Sequence, residues 1–142
     1  MKRRLTSARA ESGFTLVELL VVMLILGLLA AIAVPAFFGE RSKAHDADAK
    51  VAVRTAETAI VTWASDNGGG FTGATPADLR AVEPTLNDAA LTVPAAGSNT
   101  YELAVTSLTG NVFEIHRAAD GSRDFPCSVA SEDGCPASGS WR

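Results

Sequence analysis

One stretch decides what this chain can fold into. Gly13 to Pro35, GFTLVELLVVMLILGLLAAIAVP, is a nearly unbroken apolar run holding a single acid, Glu18. A bilayer core takes roughly 20 apolar residues of helix, and Phe14 to Val34 meets that length. Lys2, Arg3, Arg4 and Arg9 precede the run, and the chain turns polar after it. A carboxylate inside such a segment is unfavourable by about 3 kcal/mol at mid-bilayer and by less near the interface. Glu18 therefore requires a reason.

The charge is unevenly distributed. The chain has 142 residues and a net charge of -4, one domain's worth. Its first thirteen residues carry four basic side chains and one acid, about +3, so the remainder sums to about -7. Roughly 105 residues lie beyond the apolar run, enough for one small core. An acidic body makes nucleic acid an unexpected partner, because phosphate binding needs clustered Lys and Arg. Basic residues beside the first apolar helix stay in the cytoplasm, which places the C-terminal body outside. In that compartment Cys127 and Cys135 are free to pair, two free thiols being the alternative. The only histidines, His45 and His116, stand apart with no cysteine cluster, so zinc is not expected.

An ordinary secretory signal also has a basic start, an apolar region and an A-x-A cleavage site, and Ala31-Ile32-Ala33 supplies that tripeptide. The length of the run and the acid within it argue against this reading. Gly13-Phe14-Thr15-Leu16-Val17-Glu18-Leu19-Leu20-Val21-Val22 resembles instead the start of a type IV prepilin, or of its relatives, the pseudopilins of type II secretion and DNA-uptake machines. The small residue before Phe14, the acid at the fifth position after Gly13, the long apolar run, the basic leader and Pro35 all match. The resemblance covers about residues 1–40. It implies cleavage between Gly13 and Phe14 by a membrane prepilin peptidase and N-methylation of Phe14, with residues 1–13 as leader and 14–35 as a helix that stays on the protein.

That processing gives Glu18 a partner. Cleavage exposes a positive amine on Phe14, and Glu18 lies one helical turn further on the same face. Each charge is costly to bury alone, and the pair far less so. The resemblance places the partner amine on a neighbouring subunit, so the pair sets register as helices bundle into a filament. The plainer reading is an interfacial acid that favours the helix N-terminus through its dipole. Gly27 weakens a helix by about 1 kcal/mol relative to Ala, and Pro35 removes a backbone donor. A kink or local melt between Gly27 and Pro35 is one reading. The other is that Gly and Pro are common in membrane helices.

Residues 36–67 continue as an amphipathic helix. Ala49, Ala52, Val53, Ala56, Ala59, Ile60 and Trp63 recur at spacings of three and four, a core-facing stripe. Arg41, Lys43, Asp46, Asp48, Lys50, Arg54 and Glu57 fall largely off it, and His45 reads as solvated. Asn67-Gly68-Gly69-Gly70 supplies a left-handed cap. One helix from Phe14 to Asn67 would span roughly 80 Å. Thr75-Pro76-Ala77-Asp78 reads as a helix start, ending at Glu83. Residues 84–99 read as loop with a short strand at Leu91–Val93. Alternation then predicts strands over Tyr101–Thr106, Val112–Ala118 and Arg123–Cys127, the second with His116 on its outer face. The expected fold is α+β: a long N-terminal helix packed against a small antiparallel β-meander over residues 100–127, with a Gly/Ser/Pro-rich tail. In pilins a disulfide loop at the place of Cys127 and Cys135 is surface-exposed and often meets neighbours. Asp120, Asp124, Glu132 and Asp133 are acids that calcium would need to gather, although scattered tail acids are ordinarily solvated.

No catalytic constellation, phosphate-cradling loop or metal motif is present, so the chain reads as a structural subunit without cofactor. The expectation is a type IV pilin, held in the lipid bilayer before assembly and then polymerised with other pilin subunits into an extracellular pilus. The resemblance also implies a membrane platform protein and its cytoplasmic motor ATPase as partners. A pseudopilin of a secretion or DNA-uptake apparatus is the nearest alternative, and a binding module secreted after cleavage at Ala33 is the second.

Overall fold

The computed structural model describes residues 13–130 and 132–142. The chain divides into two units, one ending at Phe37 and one spanning Phe38–Arg142. Helix α1 (Leu16–Asp66) makes up nearly all of the described first unit and supplies the scaffold helix of the second. It is helical through Gly27 and Pro35. It closes where Gly68 and Gly69 take φ of 85° and 88°, which lets the Gly69 N–H donate to the Ala64 carbonyl at 2.7 Å. Glycine holds that left-handed conformation without the Cβ clash other residues meet.

In the second unit α1 is followed by α2 (Pro76–Val82) and a 3₁₀ turn at Pro84–Asp88. Strands β1 (Ala90–Ala96), β2 (Tyr101–Thr106), β3 (Val112–Arg117) and β4 (Arg123–Asp124) come next. They form an antiparallel sheet in the order β1-β2-β3-β4. Thr75 caps α2 in a reciprocal capping box with Asp78, and Glu83 ends it, because Pro84 cannot continue a helix.

The core forms where two periodicities meet. Ala49, Val53, Ala56, Ala59, Ile60 and Ala64 of α1 are buried, as are Tyr101, Leu103 and Val105 of β2 and Phe113 and Ile115 of β3. Trp63 packs against this cluster. The alanines thin the helix surface, which leaves room for the larger side chains of the sheet that join them in one cluster. Leu79 of α2, Leu86 of the 3₁₀ turn and Phe71 close one end. Across the core margin the Tyr101 hydroxyl donates to Glu57 at 2.9 Å, and Arg123 pairs with the same carboxylate at 2.8 Å. Burial, with that hydrogen bond, pushes the Tyr101 phenol up to about 12, so it stays a donor.

Several local expectations are corrected. Strand β1 is longer than Leu91–Val93 and runs through Pro94. Its register with β2 breaks between Thr92 and Ala95, and an irregular edge strand is where a sheet accommodates proline. Residues 84–88 are a 3₁₀ turn rather than loop. Strand β4 covers only Arg123–Asp124. Beyond it single bridges pair Phe113 with Cys127 and Pro126 with Ser140. The tail is thereby folded back, and Trp141 is buried with its indole N–H donating to the Glu114 carbonyl at 3.0 Å. Its ring meets Phe113 and Phe125 edge-on.

Asp46 is the largest correction. Its place among the charged residues of α1 suggests a solvated side chain, yet it is fully buried. Thr109 Oγ1, Asn111 Nδ2 and the Gly134 N–H all donate to its carboxylate. Lys50 donates to the Gly134 carbonyl on the next helical turn. One carboxylate thus ties α1 to the β2–β3 turn and to the tail. The approach leaves no room for a side chain at 134, since a Cβ there would stand 2.6 Å from Asp46 Cβ. Gly134→Ala should destabilise the second unit by about 2 kcal/mol, the ordinary cost of overpacking. A thermal melt of the full chain in detergent checks this; an unshifted melt would show that the tail yields freely.

Candidate functional site

Gly13 and Phe14 precede α1 and are exposed, Phe14 by 88%. Thr15 stands at the helix mouth. Its side-chain oxygen accepts from the Glu18 N–H at 3.2 Å, while the Thr15 N–H and hydroxyl donate to Glu18 Oε2 at 2.8 and 2.9 Å. This reciprocal arrangement is a capping box. Within one chain Glu18 therefore has local work, satisfying donors that the first helical turn leaves open. Thr15 was not singled out from sequence, although the Thr-x-x-Glu spacing ahead of an apolar run is its signature.

From Phe14 to Val34, fifteen large apolar side chains are exposed, and the helix is long and apolar enough to cross a membrane. At about 1.5 kcal/mol or more per large side chain, leaving them in water would cost on the order of 20 kcal/mol. No soluble monomer carries such a surface uncovered. The segment belongs in lipid or against other protein. A Cβ added at Gly27 meets nothing within 4 Å among the described residues, so no packing contact there requires that glycine.

Cys127 and Cys135 are joined in a disulfide. Cys135 is buried, while Ser128, Val129, Ala130, Glu132 and Asp133 between the two are exposed. Gly134 fastens this loop to Asp46. The acids considered for calcium are otherwise engaged or dispersed. Asp120 accepts from the Ser122 N–H and hydroxyl, which hold its carboxyl below the usual range, and Asp124 stands beside His116. Among the described residues no three Asp, Glu, His or Cys side chains are grouped to hold a metal ion. His116 is not simply solvated: Glu114 lies 2.8 Å from Nε2 and Asp124 3.5 Å from Nδ1. His45 is half-buried on α1.

Comparison with known proteins bears directly on this N-terminal arrangement. Residues 8–34 match the prokaryotic N-terminal methylation motif. The chain is 31% identical over 104 residues to fimbrial protein Q of Moraxella bovis, covering 73% of this chain and 62% of that protein. It is 31% identical over 133 residues to fimbrial protein EcpC of Eikenella corrodens, covering 84% of each. It is 41% identical over 59 residues to the type II secretion system core protein G of Aeromonas hydrophila, covering 42% of this chain and 41% of that protein. The chain thus spans less than two thirds of the first and the last of these relatives. No solved structure matches it significantly. Residues 8–34 carry the methylation motif and the fimbrial and secretion-system relatives are structural subunits and not enzymes, and the chain belongs to the type IV pilin and pseudopilin family.

Proposed function

We propose that the chain is a structural subunit of a type IV pilus. The observation that carries this reading is the apolar face from Phe14 to Val34, exposed among the described residues. In this reading a prepilin peptidase cuts between Gly13 and Phe14, and Phe14 is N-methylated. The N-terminus starts in the cytoplasm with the second unit outside. The helix then exchanges lipid for neighbouring copies of itself, and small residues at Ala30, Ala31 and Ala33 allow close packing. Glu18 exchanges its capping partners for the Phe14 amine of a neighbour. Gly27 and Pro35 mark where the helix would kink or melt as it packs. A platform protein and a cytoplasmic motor supply the work of extraction.

The extent of the matches favours a pilus subunit. The fimbrial relatives align over 73–84% of the chain, whereas the secretion-system relatives align over 42–43%. The second reading, a pseudopilin of a secretion or DNA-uptake machine, draws on the higher identity within that shorter stretch, 38–41%. N-terminal mass analysis of material sheared from the cell surface tests the proposal. A chain beginning at methylated Phe14 within long filaments is the expected result. A chain beginning at Phe14 but found only in the envelope, with a secretion or uptake defect on deletion, selects the pseudopilin. A start at Val34 would overturn both.

A further inference from the structure

Beyond its apolar helix the chain carries two further surface features, both within the unit Phe38–Arg142. On one flank of α1, between the helix and the β1 edge of the sheet, lies an open groove of about 340 Å³. Its floor is apolar, with Ala49, Ala52 and Ala90 among its lining, and Leu108 stands at its rim, 85% exposed. Asp48 and Asp88 also line it, and among the described residues neither takes part in an ion pair. Arg80 donates to the carbonyls of Leu86, Ala89 and Leu91 and among the described residues forms no ion pair with either carboxylate.

The other flank, toward β4 and the tail, is basic. Arg54 lies over the Trp141 ring at 5.0 Å, and Arg142 over Phe125 at 4.9 Å. Among the described residues neither guanidinium has a carboxylate partner. Stacking on an aromatic face restrains a guanidinium and leaves its N–H groups directed outward. Sequence spacing explains the division. Asp48 and Ala52 share one side of the α1 core stripe, and Lys50 and Arg54 the other.

We propose that these flanks are two halves of one contact between successive copies of this chain: the Arg54–Trp141 and Arg142–Phe125 pairs of one subunit seat against the Asp48–Asp88 groove of the next. The groove suits that occupant. Its apolar floor accepts an arginine stem while its carboxylates accept the planar fork. Because donor and acceptor surfaces lie on opposite edges of the same unit, the contact is heterologous. It generates a ring or an open helical filament rather than a closed pair. The proposal rests on the polymer reading above, and adds a partner surface that the apolar helix does not supply.

Engineered cysteines in the full chain, expressed in its own cells, test it. Asp48→Cys and Arg54→Cys lie six positions apart on opposite flanks, roughly 9 Å along the helix axis, too far for a bridge within one chain. The double variant should give an interchain ladder on non-reducing gels, and each single variant should not. Charge exchange gives an independent readout. Asp48→Arg or Arg54→Asp alone should cut filament yield about tenfold, since like charges then face each other. The two together should restore it to within about twofold of the parent. Filaments that form normally with no ladder, or that tolerate either reversal, overturn this contact while leaving the filament reading intact. A parent chain that yields no polymer at all overturns both.

Discussion

Glu18→Ala should abolish filament formation while leaving cleavage after Gly13 intact. Removing one member of a desolvated ion pair strands the other, at about 3–5 kcal/mol. In a polymer every subunit meets that deficit, and about 3 kcal/mol is already more than a hundredfold in each association step. In the proposed reading the peptidase acts on the chain before any such pair exists, so processed Phe14 should accumulate in the membrane. The capping box complicates the variant, because Ala at 18 also removes the acceptor for the Thr15 N–H and hydroxyl. Thr15→Ala separates the two effects. It loses the cap, worth about 1 kcal/mol, and keeps the carboxylate, so it should still polymerise. Filament yield from sheared cells, read beside the mass of the processed N-terminus, checks both variants. Normal filaments from Glu18→Ala, or equal loss in both variants, would show that the charge pair is not what sets register.

Asp46→Ala should cost the second unit about 3 kcal/mol, a fall in Tm of roughly 15 °C for a domain of this size. The loss arises from what remains behind. Thr109 Oγ1, Asn111 Nδ2 and the Gly134 N–H would face a void instead of a carboxylate. Buried donors without acceptors cost about 1–3 kcal/mol each before they relax. The same site sets a pH limit. Burial alone would push the Asp46 carboxyl up. The side chains of Ser107, Thr109 and Asn111 and the Gly134 N–H together hold it below the ordinary 3.8. Its folded pKa is thus depressed, so its contribution is fully present above 3.8 and is lost as pH falls through the folded value. Melts of the parent and of Asp46→Ala in detergent should therefore differ most near neutrality and converge in acid. A constant difference down to strongly acidic pH would show that packing, not the charge, carries the site.

Much of the protein is legible in its sequence because the controlling interactions are local. A bilayer-length apolar run, a glycine cap after Asp66, the Thr75–Asp78 box and the alternation in β2 and β3 each span a few residues. They act through the helix and strand periods themselves. The Thr15–Glu18 spacing carries a capping box as well, although Glu18 is read from sequence only as an ion-pair partner or an acid favoured by the helix dipole. Strand β1 was shortened in expectation because Pro94 reads as a stop. Only its place at the sheet edge makes that proline acceptable.

What the sequence by itself determined is the frame: an apolar helix that cannot remain in water, a stripe of alanines that must be covered, and alternating strands to cover it. What only the tertiary structure decided is which polar and tail residues become interior. Asp46 looks like any charged residue on the solvent side of a helix, and its burial is settled by partners 63, 65 and 88 positions away. Trp141 sits in a tail whose composition suggests no structure, and is buried because Phe113, Phe125 and the Glu114 carbonyl lie where its ring and N–H can reach them. A polar group is stable inside only when distant segments bring it enough hydrogen bonds, and no local pattern records whether they will.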